Sequence, residues 1–283
     1  MHVLYGLKTQ QFNFELKGGT SLSKGHKIIN RFSEDIDIHV QPPQEMNVNE
    51  NPRNTKDKAV EGRRNYYDWL ADTIKIDGIE TIERDHLFDN KYFTSGGVRL
   101  HYKSLTDPVE GVKEGILLEA GFDTVTPFTR VPISSWALDR AMATAALKGQ
   151  IHDNNAADIP CYDPGYTFVE KLQTIARMFR QEQTGTPARP NLMRQYYDVY
   201  CLLDHPSVQA FIGTPEYKAH KSDRFSAQDL EIPLHDNPAY SLNDSETRTV
   251  FRKRYEATKS LYYKGQPDFD LILERIGHYI GSC

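Results

Sequence analysis

Cysteine and long apolar runs are what this sequence lacks most clearly. Only three of its 283 residues are cysteines (Cys161, Cys201 and Cys283), too few and too scattered for a disulfide framework or a zinc site. No run of 18 apolar residues occurs, which argues against a membrane-spanning helix. The first residues lack the charged start, apolar stretch and cleavage site of a secretion signal. We therefore expect a protein of the reducing cytoplasm that makes no contact with a membrane.

An excess of positive charge is also absent. The formal net charge is −5 and the sequence pI is near 6.1, whereas proteins that bind nucleic acids indiscriminately usually have a strongly basic domain. Two cationic stretches, 53–64 and 248–264, are interpreted as solvated helix faces. The overall charge still leaves room for a local basic groove.

The length of 283 residues suits one large domain or two modest ones. The hydrophobic pattern changes along the chain. In the first half, apolar and polar residues alternate as in strands. A turn with Asp107-Pro108 and Gly111 joins two of these strands, and a polar loop covers 41–54. We predict strands over 12–16, 35–40, 98–105 and 116–122.

Helical patterns dominate after Pro132, so we place a domain boundary near residue 130. Ser134-Ser135 could cap the first helix of this half, and 221–247 is predicted to be a polar surface stretch. We predict helices over 56–75, 134–149, 167–182, 191–203, 248–263 and 268–279.

A glycine pair follows the first predicted strand, in the sequence FELKGGTSLS. Gly18 and Gly19 permit a tight turn and a close approach of the backbone to a ligand. Thr20 and Ser21 could cap a following helix, whose exposed amides favour a phosphate group. A glycine pair is more often structural than functional when it stands alone.

Two carboxylates lie two residues apart on a later strand, in RFSEDIDIHV. Side chains at i and i+2 of a strand share a face, with Cα atoms about 6.6 Å apart. Asp35 and Asp37 therefore point the same way, while Ile36, Ile38 and Val40 face the core. Oxygen-rich sites of this kind suit Mg²⁺, and two such ions can align a nucleoside triphosphate for displacement at its α-phosphorus. The alternative is a half-exposed strand with ordinary acidic residues.

The order strand, KGGT, helix, DIDIHV resembles the polymerase-β-like nucleotidyltransferase superfamily. More narrowly, it is similar to the AbiEii/AbiGii toxin family, whose signature reads approximately LKGGTxLS followed by RxSxDID. This resemblance implies an α+β fold, with a nucleotidyltransferase mixed β-sheet and flanking helices over 1–130 and a helical domain over 131–283. The matching residues are Leu16, Lys17, Gly18, Gly19, Thr20, Leu22, Ser23, Arg31, Ser33, Asp35, Ile36 and Asp37.

The resemblance also implies a third carboxylate that binds metal and helps to deprotonate the attacking hydroxyl. Glu119 is the candidate, because it interrupts an apolar strand where a carboxylate would otherwise be costly to desolvate. Asp123 is the alternative, and an ordinary strand-end glutamate is the other interpretation. Phosphate contacts are expected from Lys17, Gly18, Gly19, Thr20, Arg31 and Ser33.

Two helical segments, FVEKL and RQYYDVY, extend the resemblance into the second half. It implies that Lys171 is a cation for the triphosphate and that Asp198 orients it. The alternative is that Arg194 and Asp198, four residues apart, form a surface ion pair. The remaining aromatic and ring side chains have structural interpretations. In the pairs 66–67, 196–197 and 262–263 we expect one ring to pack and the other to face water, His39 to be solvated and Cys201 to lie in the core.

The resemblance implies a Mg²⁺-dependent transfer of a nucleoside monophosphate from an NTP to an acceptor hydroxyl, with release of pyrophosphate. The acceptor is expected to be RNA (tRNA) or a protein. The protein would be the toxin of a toxin–antitoxin or phage-defence pair, opposed by a cognate antitoxin protein. Two alternatives stay open: a metal-dependent phosphohydrolase or nuclease, and a catalytically idle RNA- or protein-binding module.

Overall fold

The computed structural model describes residues 1–33, 35–104, 114–123, 125–147 and 149–281. The predicted turn with Asp107-Pro108 and Gly111, and also Cys283, lie outside these residues. Within them, no helix is long and apolar enough to cross a membrane. The chain divides into two compact units, Met1–His26 with Ser33–Tyr162 and Lys27–Phe32 with Asp163–Cys283.

A seven-stranded mixed sheet forms the centre of the first unit. Its strands are β1 (Phe14–Lys17), β2 (Asp35–Val40), β3 (Thr81–Asp85), β4 (Ser95–His101), β5 (Ile116–Gly121), β6 (Phe128–Ile133) and β7 (Ala156–Tyr162). The order across the sheet is β3-β4-β5-β2-β1-β7-β6. The pairs β1–β7 and β2–β5 are parallel, and the other four pairs are antiparallel. The helices of this unit are α1 (His2–Thr9), α2 (Gly18–Thr20), α3 (Asp57–Thr73) and α4 (Trp136–Ala143).

One face of this sheet is apolar and carries the core. On β2, Ile36, Ile38 and Val40 are buried while the residues between them are half-buried, as the alternation predicts. Apolar residues of α1 and α3 belong to the same core cluster. Tyr66 and Tyr67 of α3 are both buried, so the prediction that one of these rings faces water was wrong. The opposite face of the sheet is therefore the one left for polar chemistry.

Three strands and one helix end were missed at the sequence level. β3, β6 and β7 were not predicted, and β7 lies in the half expected to be helical. The predicted boundary near residue 130 falls within β6, which pairs with β7 of the same unit. The Ser135 side chain caps α4 by accepting from the amide of Leu138, as predicted, but α4 ends at Ala143 instead of residue 149.

The second unit is helical in its described residues, and together the two units give the α+β fold that was predicted. Its helices are α5 (Pro164–Gln183), α6 (Leu192–Leu202), α7 (Pro206–Phe211), α8 (Pro215–Arg224), α9 (Ala227–Leu230), α10 (Pro238–Ser241), α11 (Ser245–Glu256) and α12 (Phe269–Ile280). The stretch 221–247 is not simply polar surface, because Tyr240 is buried there and donates its hydroxyl to the carbonyl of Leu172 at 2.9 Å. Tyr196 and Tyr197 are also both buried, which again differs from the predicted division of the pair.

Candidate functional site

The glycine turn is shaped to receive a carboxylate. β1 ends at Lys17 and α2 begins at the next residue. Gly18 has φ +65°, a left-handed backbone conformation that favours glycine. A Cβ atom at this position would overlap the Asp37 carboxylate. Glycine is therefore required at position 18 both by the backbone and by the close approach of Asp37.

The hydroxyl of Thr20 has a different role from the one predicted. α2 has no side-chain cap, because the helix starts at Gly18 and Thr20 lies inside it. Instead, Thr20 donates to the carbonyl oxygen of Asp35 at 2.6 Å, which ties the turn to the start of β2. A π-helical segment, Ser21–Gly25, follows directly. Gly19 is buried within the turn, and Ser33 is half-buried two residues before Asp35.

Three charged residues are aligned across neighbouring strands of the polar face. Lys17 on β1 is the register partner of Asp37 on β2, and Asp37 is the partner of Glu119 on β5. Directly paired residues on adjacent strands present their side chains on the same face of a sheet. Asp35 shares this face, because it lies two residues before Asp37. The prediction that Asp35 and Asp37 alternate with buried residues is confirmed.

A cavity of about 240 Å³ opens beside this row. Lys17 and Glu119 line it, and so does Asp123, the alternative third carboxylate. Pro52 contributes from the polar loop, Thr94 from the residue before β4 and Ser95 from the first position of β4; Ala120 and Gly121 complete the lining. Sequence reasoning missed the residues from the loop and from β4. No spacing signal connects them to β1 and β5, since only the sheet order brings these segments together.

The carboxylates on this face of the sheet are the candidate ligands for a divalent cation. Among the described residues, no group of three or more His, Cys, Asp or Glu side chains lies close enough to hold a metal ion. Mg²⁺ is commonly held by one or two carboxylates, with water and substrate phosphates supplying its other oxygens. Asp35 and Asp37 are two such carboxylates, and the approach of Asp37 to Gly18 places one of them at the turn. The residues present fit Mg²⁺ in that manner.

His39 lies on the same face, and the prediction that it is solvated was wrong. Its Nδ1 is 2.6 Å from Glu15 Oε2, and both side chains are largely buried. The Gln41 amide donates to the other oxygen of Glu15 at 2.5 Å. Glu15 was not singled out in the sequence, although it alternates with Lys17 on β1 and so shares its face. This network fixes the end of β2 next to the carboxylate row.

In the second unit, three of the predicted residues form a buried ion cluster. Asp198 on α6 is fully buried, and Arg31 donates to its two oxygens through Nε at 2.7 Å and Nη2 at 2.6 Å. Lys171 Nζ on α5 lies 2.7 Å from Asp198 Oδ2 and donates to the side chain of Gln195 at 3.0 Å. The burial of Asp198 contradicts the alternative in which it forms a surface pair with Arg194.

The charge state of this cluster follows from its partners. Burial alone would raise the pKa of Asp198, but the charges and hydrogen bonds of Arg31 and Lys171 outweigh it and hold that pKa below its usual value. Near the cluster, burial raises the pKa of the Cys201 thiol to about 12. Cys201 is half-buried and does not lie fully in the core as predicted. Its raised pKa does not favour the thiolate that a nucleophile needs.

The comparison with family models gives a match over nearly the whole chain. The model described as "Nucleotidyl transferase AbiEii toxin, Type IV TA system" matches residues 2–275. No curated protein and no solved structure matches the chain. The family match includes the glycine turn, the carboxylate row and the buried ion cluster described above.

Proposed function

The chain belongs to the AbiEii family of nucleotidyl transferase toxins of type IV toxin–antitoxin systems, and from this premise we propose that its active site is the carboxylate row of the first unit. The family implies an NTP substrate and an antitoxin partner. The finer proposal is a Mg²⁺-dependent transfer of a nucleoside monophosphate to a hydroxyl of RNA, with tRNA as the expected kind of acceptor. A cytoplasmic setting and a role in phage defence belong to the same proposal.

The single observation that carries this proposal is the register Lys17–Asp37–Glu119 beside Gly18. A cation, two carboxylates and a glycine turn lie on one sheet face, next to a cavity lined by Lys17 and Glu119. Triphosphate oxygens need positive charge and a backbone that approaches closely, and the acceptor hydroxyl needs a proton acceptor. Lys17 supplies the positive charge, the turn at Gly18 supplies the backbone, and Glu119 supplies the proton acceptor.

Asp35 and Asp37 would hold Mg²⁺, with Glu119 as the third candidate ligand. When bound, the metal would neutralise charge on the triphosphate and favour in-line displacement at its α-phosphorus. The chain's own groups would do the rest. Lys17 and the turn at Gly18, Gly19 and Thr20 would orient the phosphates, since a lysine ammonium acts as a compact point charge beside phosphate oxygens.

The proposed reaction forms one bond and breaks one. The acceptor oxygen bonds to the α-phosphorus, and the bond from that phosphorus to the bridging oxygen of the β-phosphate breaks, so pyrophosphate leaves. Glu119, or Asp123, which also lines the cavity, would accept the proton of the acceptor hydroxyl. The roles of Lys171, Asp198, Arg31 and Ser33 toward the triphosphate stay predictions; Asp198 has both oxygens engaged by Arg31 and Lys171.

The test is label transfer from each α-labelled NTP to total RNA or to protein extract in the presence of Mg²⁺. We expect RNA to become labelled, and we expect Asp37→Asn to lower the rate at least about 100-fold. Asp72→Asn, an exposed carboxylate on α3, is the matched control and should retain full activity.

Other outcomes of this assay would redirect the proposal. Label recovered as free nucleotide, with none on a macromolecule, would indicate a phosphohydrolase or nuclease. If neither transfer nor hydrolysis occurs and Asp37→Asn leaves the cellular toxicity unchanged, the chain acts as a binding module and the proposed chemistry is wrong.

A further inference from the structure

A buried arginine lies on α3, in a stretch that the sequence predicted to be a solvated cationic face. Arg63 on α3 has no exposed surface, whereas its neighbour Arg64 is exposed. An unpaired buried charge is costly, so the partners of a guanidinium in such a position must account for its presence.

All five N–H groups of Arg63 donate to backbone carbonyl oxygens. Nε and Nη2 donate to Tyr92 at 3.0 and 2.8 Å, Nη1 donates to Asn49 and Asn51 at 3.1 and 3.3 Å, and Nη2 also donates to Asn54 at 2.9 Å. These four carbonyls belong to two segments that are about forty residues apart in the chain. The guanidinium fork therefore joins the two loops by hydrogen bonds to both of them.

The first of these loops is arranged so that its carbonyls can face Arg63. The Asn49, Asn51 and Asn54 side chains accept from the backbone amides two residues later, at 3.2, 3.0 and 3.2 Å. Such side-chain turns leave the carbonyl of the asparagine able to accept from Arg63, although the Asn51 carbonyl also accepts from the Asn54 amide at 3.0 Å. The same three residues thus shape the loop with their side chains and bind Arg63 with their backbone.

The second loop is fixed in the same way by one asparagine. The Asn90 side chain accepts from the amides of Tyr92 and Thr94, at 3.1 and 2.9 Å. Its amide group donates to the hydroxyls of Thr94 and Ser95. The carbonyl of Tyr92 lies between these contacts and points to Arg63.

Both loops end in the wall of the cavity beside the carboxylates. Pro52 lies in the chain between Asn51 and Asn54, and Thr94 and Ser95 lie two and three residues after Tyr92. Lys17, Glu119 and Asp123 line the same cavity. Whatever fixes the two loops therefore fixes the spacing between Pro52 and the charged residues of the proposed site.

We propose that Arg63 is a positioning residue for nucleotide binding, which holds the two loops together so that Pro52, Thr94 and Ser95 line the cavity together with Lys17 and Glu119. Arg63 does not touch the substrate in this assignment. Lysine cannot replace it, because a single ammonium cannot span four carbonyls from two segments. The inference rests on the proposed function, since the ligand of the cavity is taken to be the NTP.

The test measures binding directly, so that it does not depend on the acceptor. Each of the four α,β-methylene nucleoside triphosphates is titrated with Mg²⁺ into the full-length chain by calorimetry. We expect Arg63→Lys to raise the Kd for the preferred nucleotide about tenfold, while Arg64→Lys, the exposed neighbour, leaves it unchanged. In the transfer assay, Arg63→Lys should raise the KM for the NTP and leave the rate at saturating NTP close to that of the wild type.

A second variant guards against a folding defect. Pro52→Ala keeps every hydrogen bond of Arg63 and changes only the wall, so we expect a raised Kd with an unchanged midpoint of thermal unfolding. If Pro52→Ala binds the nucleotide as the wild type does, or if folded Arg63→Lys does so, the positioning role is wrong. If the wild-type chain binds none of the four nucleotides, the proposed function fails instead.

Discussion

Two arginines are buried among the residues that the structure describes, one in each unit, and their partners are of different kinds. Arg31 faces a carboxylate, Asp198, which it shares with Lys171. Arg63 faces only the backbone carbonyls of two loops. Asp198 raises the pKa of Arg31 although Arg31 is buried, whereas burial lowers the pKa of Arg63. The first arginine belongs to a balance of charges, and the second acts through the geometry of its five donors.

Removal of the shared carboxylate should have the largest effect on stability. Asp198→Asn leaves Arg31 and Lys171 buried without a counter-charge, so we expect the free energy of unfolding to fall by about 3–5 kcal/mol. Urea denaturation followed by circular dichroism measures the change. Asp204→Asn removes a carboxylate that is 74% exposed near Arg275, and it should cost less than about 1 kcal/mol. Equal effects from the two variants would contradict a charge-based role for Asp198.

A lysine at each position separates charge from geometry. Arg63→Lys keeps the charge but loses most of the carbonyl contacts, so we expect a loss of about 1–3 kcal/mol in the free energy of unfolding. Arg31→Lys keeps a cation beside Asp198 and should cost at most about 1.5 kcal/mol. The same denaturation experiment compares them. If Arg31→Lys lowers the free energy of unfolding more than Arg63→Lys does, then Arg31 does not act mainly through its charge, and Arg63 does not act mainly through its geometry.

Acid should weaken the Arg31 cluster and leave the Arg63 cluster intact, since carbonyl groups do not titrate. The pKa of Asp198 is lower in the folded than in the unfolded chain. Its stabilisation is therefore complete above the unfolded pKa, about 3.9, and is lost as the pH falls through the folded pKa. We expect the stability difference between wild type and Asp198→Asn to shrink by about 1 kcal/mol between pH 7 and pH 3. The difference between wild type and Arg63→Lys should not change.

The smallest expected effect concerns the loop that presents carbonyls to Arg63. Asn51→Ala removes the acceptor of the Arg53 amide, so we expect a loss of about 0.5–1 kcal/mol in the free energy of unfolding. Asn65→Ala, an exposed position on α3, should stay within about 0.5 kcal/mol of the wild type. If Asn51→Ala has no effect, Arg63 alone orders the loop, and the side-chain turns add nothing to it.

The part of the fold that could be predicted from the sequence is the part with a local pattern. The alternation from Asp35 to Val40 predicted β2 with the correct faces, and α5, α6 and α12 differ from their predicted bounds by a few residues at most. The helix predicted over 248–263 is α11, which ends earlier, at Glu256. β3 was missed because Ile82 is its one apolar residue, so its sequence shows no repeated alternation. β7 was missed because its burial does not follow a period of two, and it lies beside β1 through a long-range parallel contact at Leu16 and Cys161.

The candidate site divides in the same way. The glycine turn and the aspartate pair are short motifs, so their residues could be named before the structure was known. The partners of Asp198 and the carbonyls around Arg63 come from distant segments, so no spacing in the sequence predicts these contacts. Arg63 was even grouped with a solvated face, because neighbouring charges such as Arg64 and Lys58 are exposed. Burial of a charge depends on tertiary acceptors that a local pattern does not contain.

Membership of Lys27–Phe32 in the helical unit has a consequence for biosynthesis. Arg31 leaves the ribosome 167 residues before the carboxylate that neutralises it, which at bacterial or eukaryotic elongation speeds is a delay on the order of ten seconds. Arg31 cannot be buried in its final place until Asp198 has been synthesised. This unit therefore cannot complete its folding in the order in which its residues leave the ribosome. A gene fragment starting at codon 163 would keep the contact of Lys171 with Asp198 but lose both donors of Arg31, so it would encode this unit with an incomplete ion cluster.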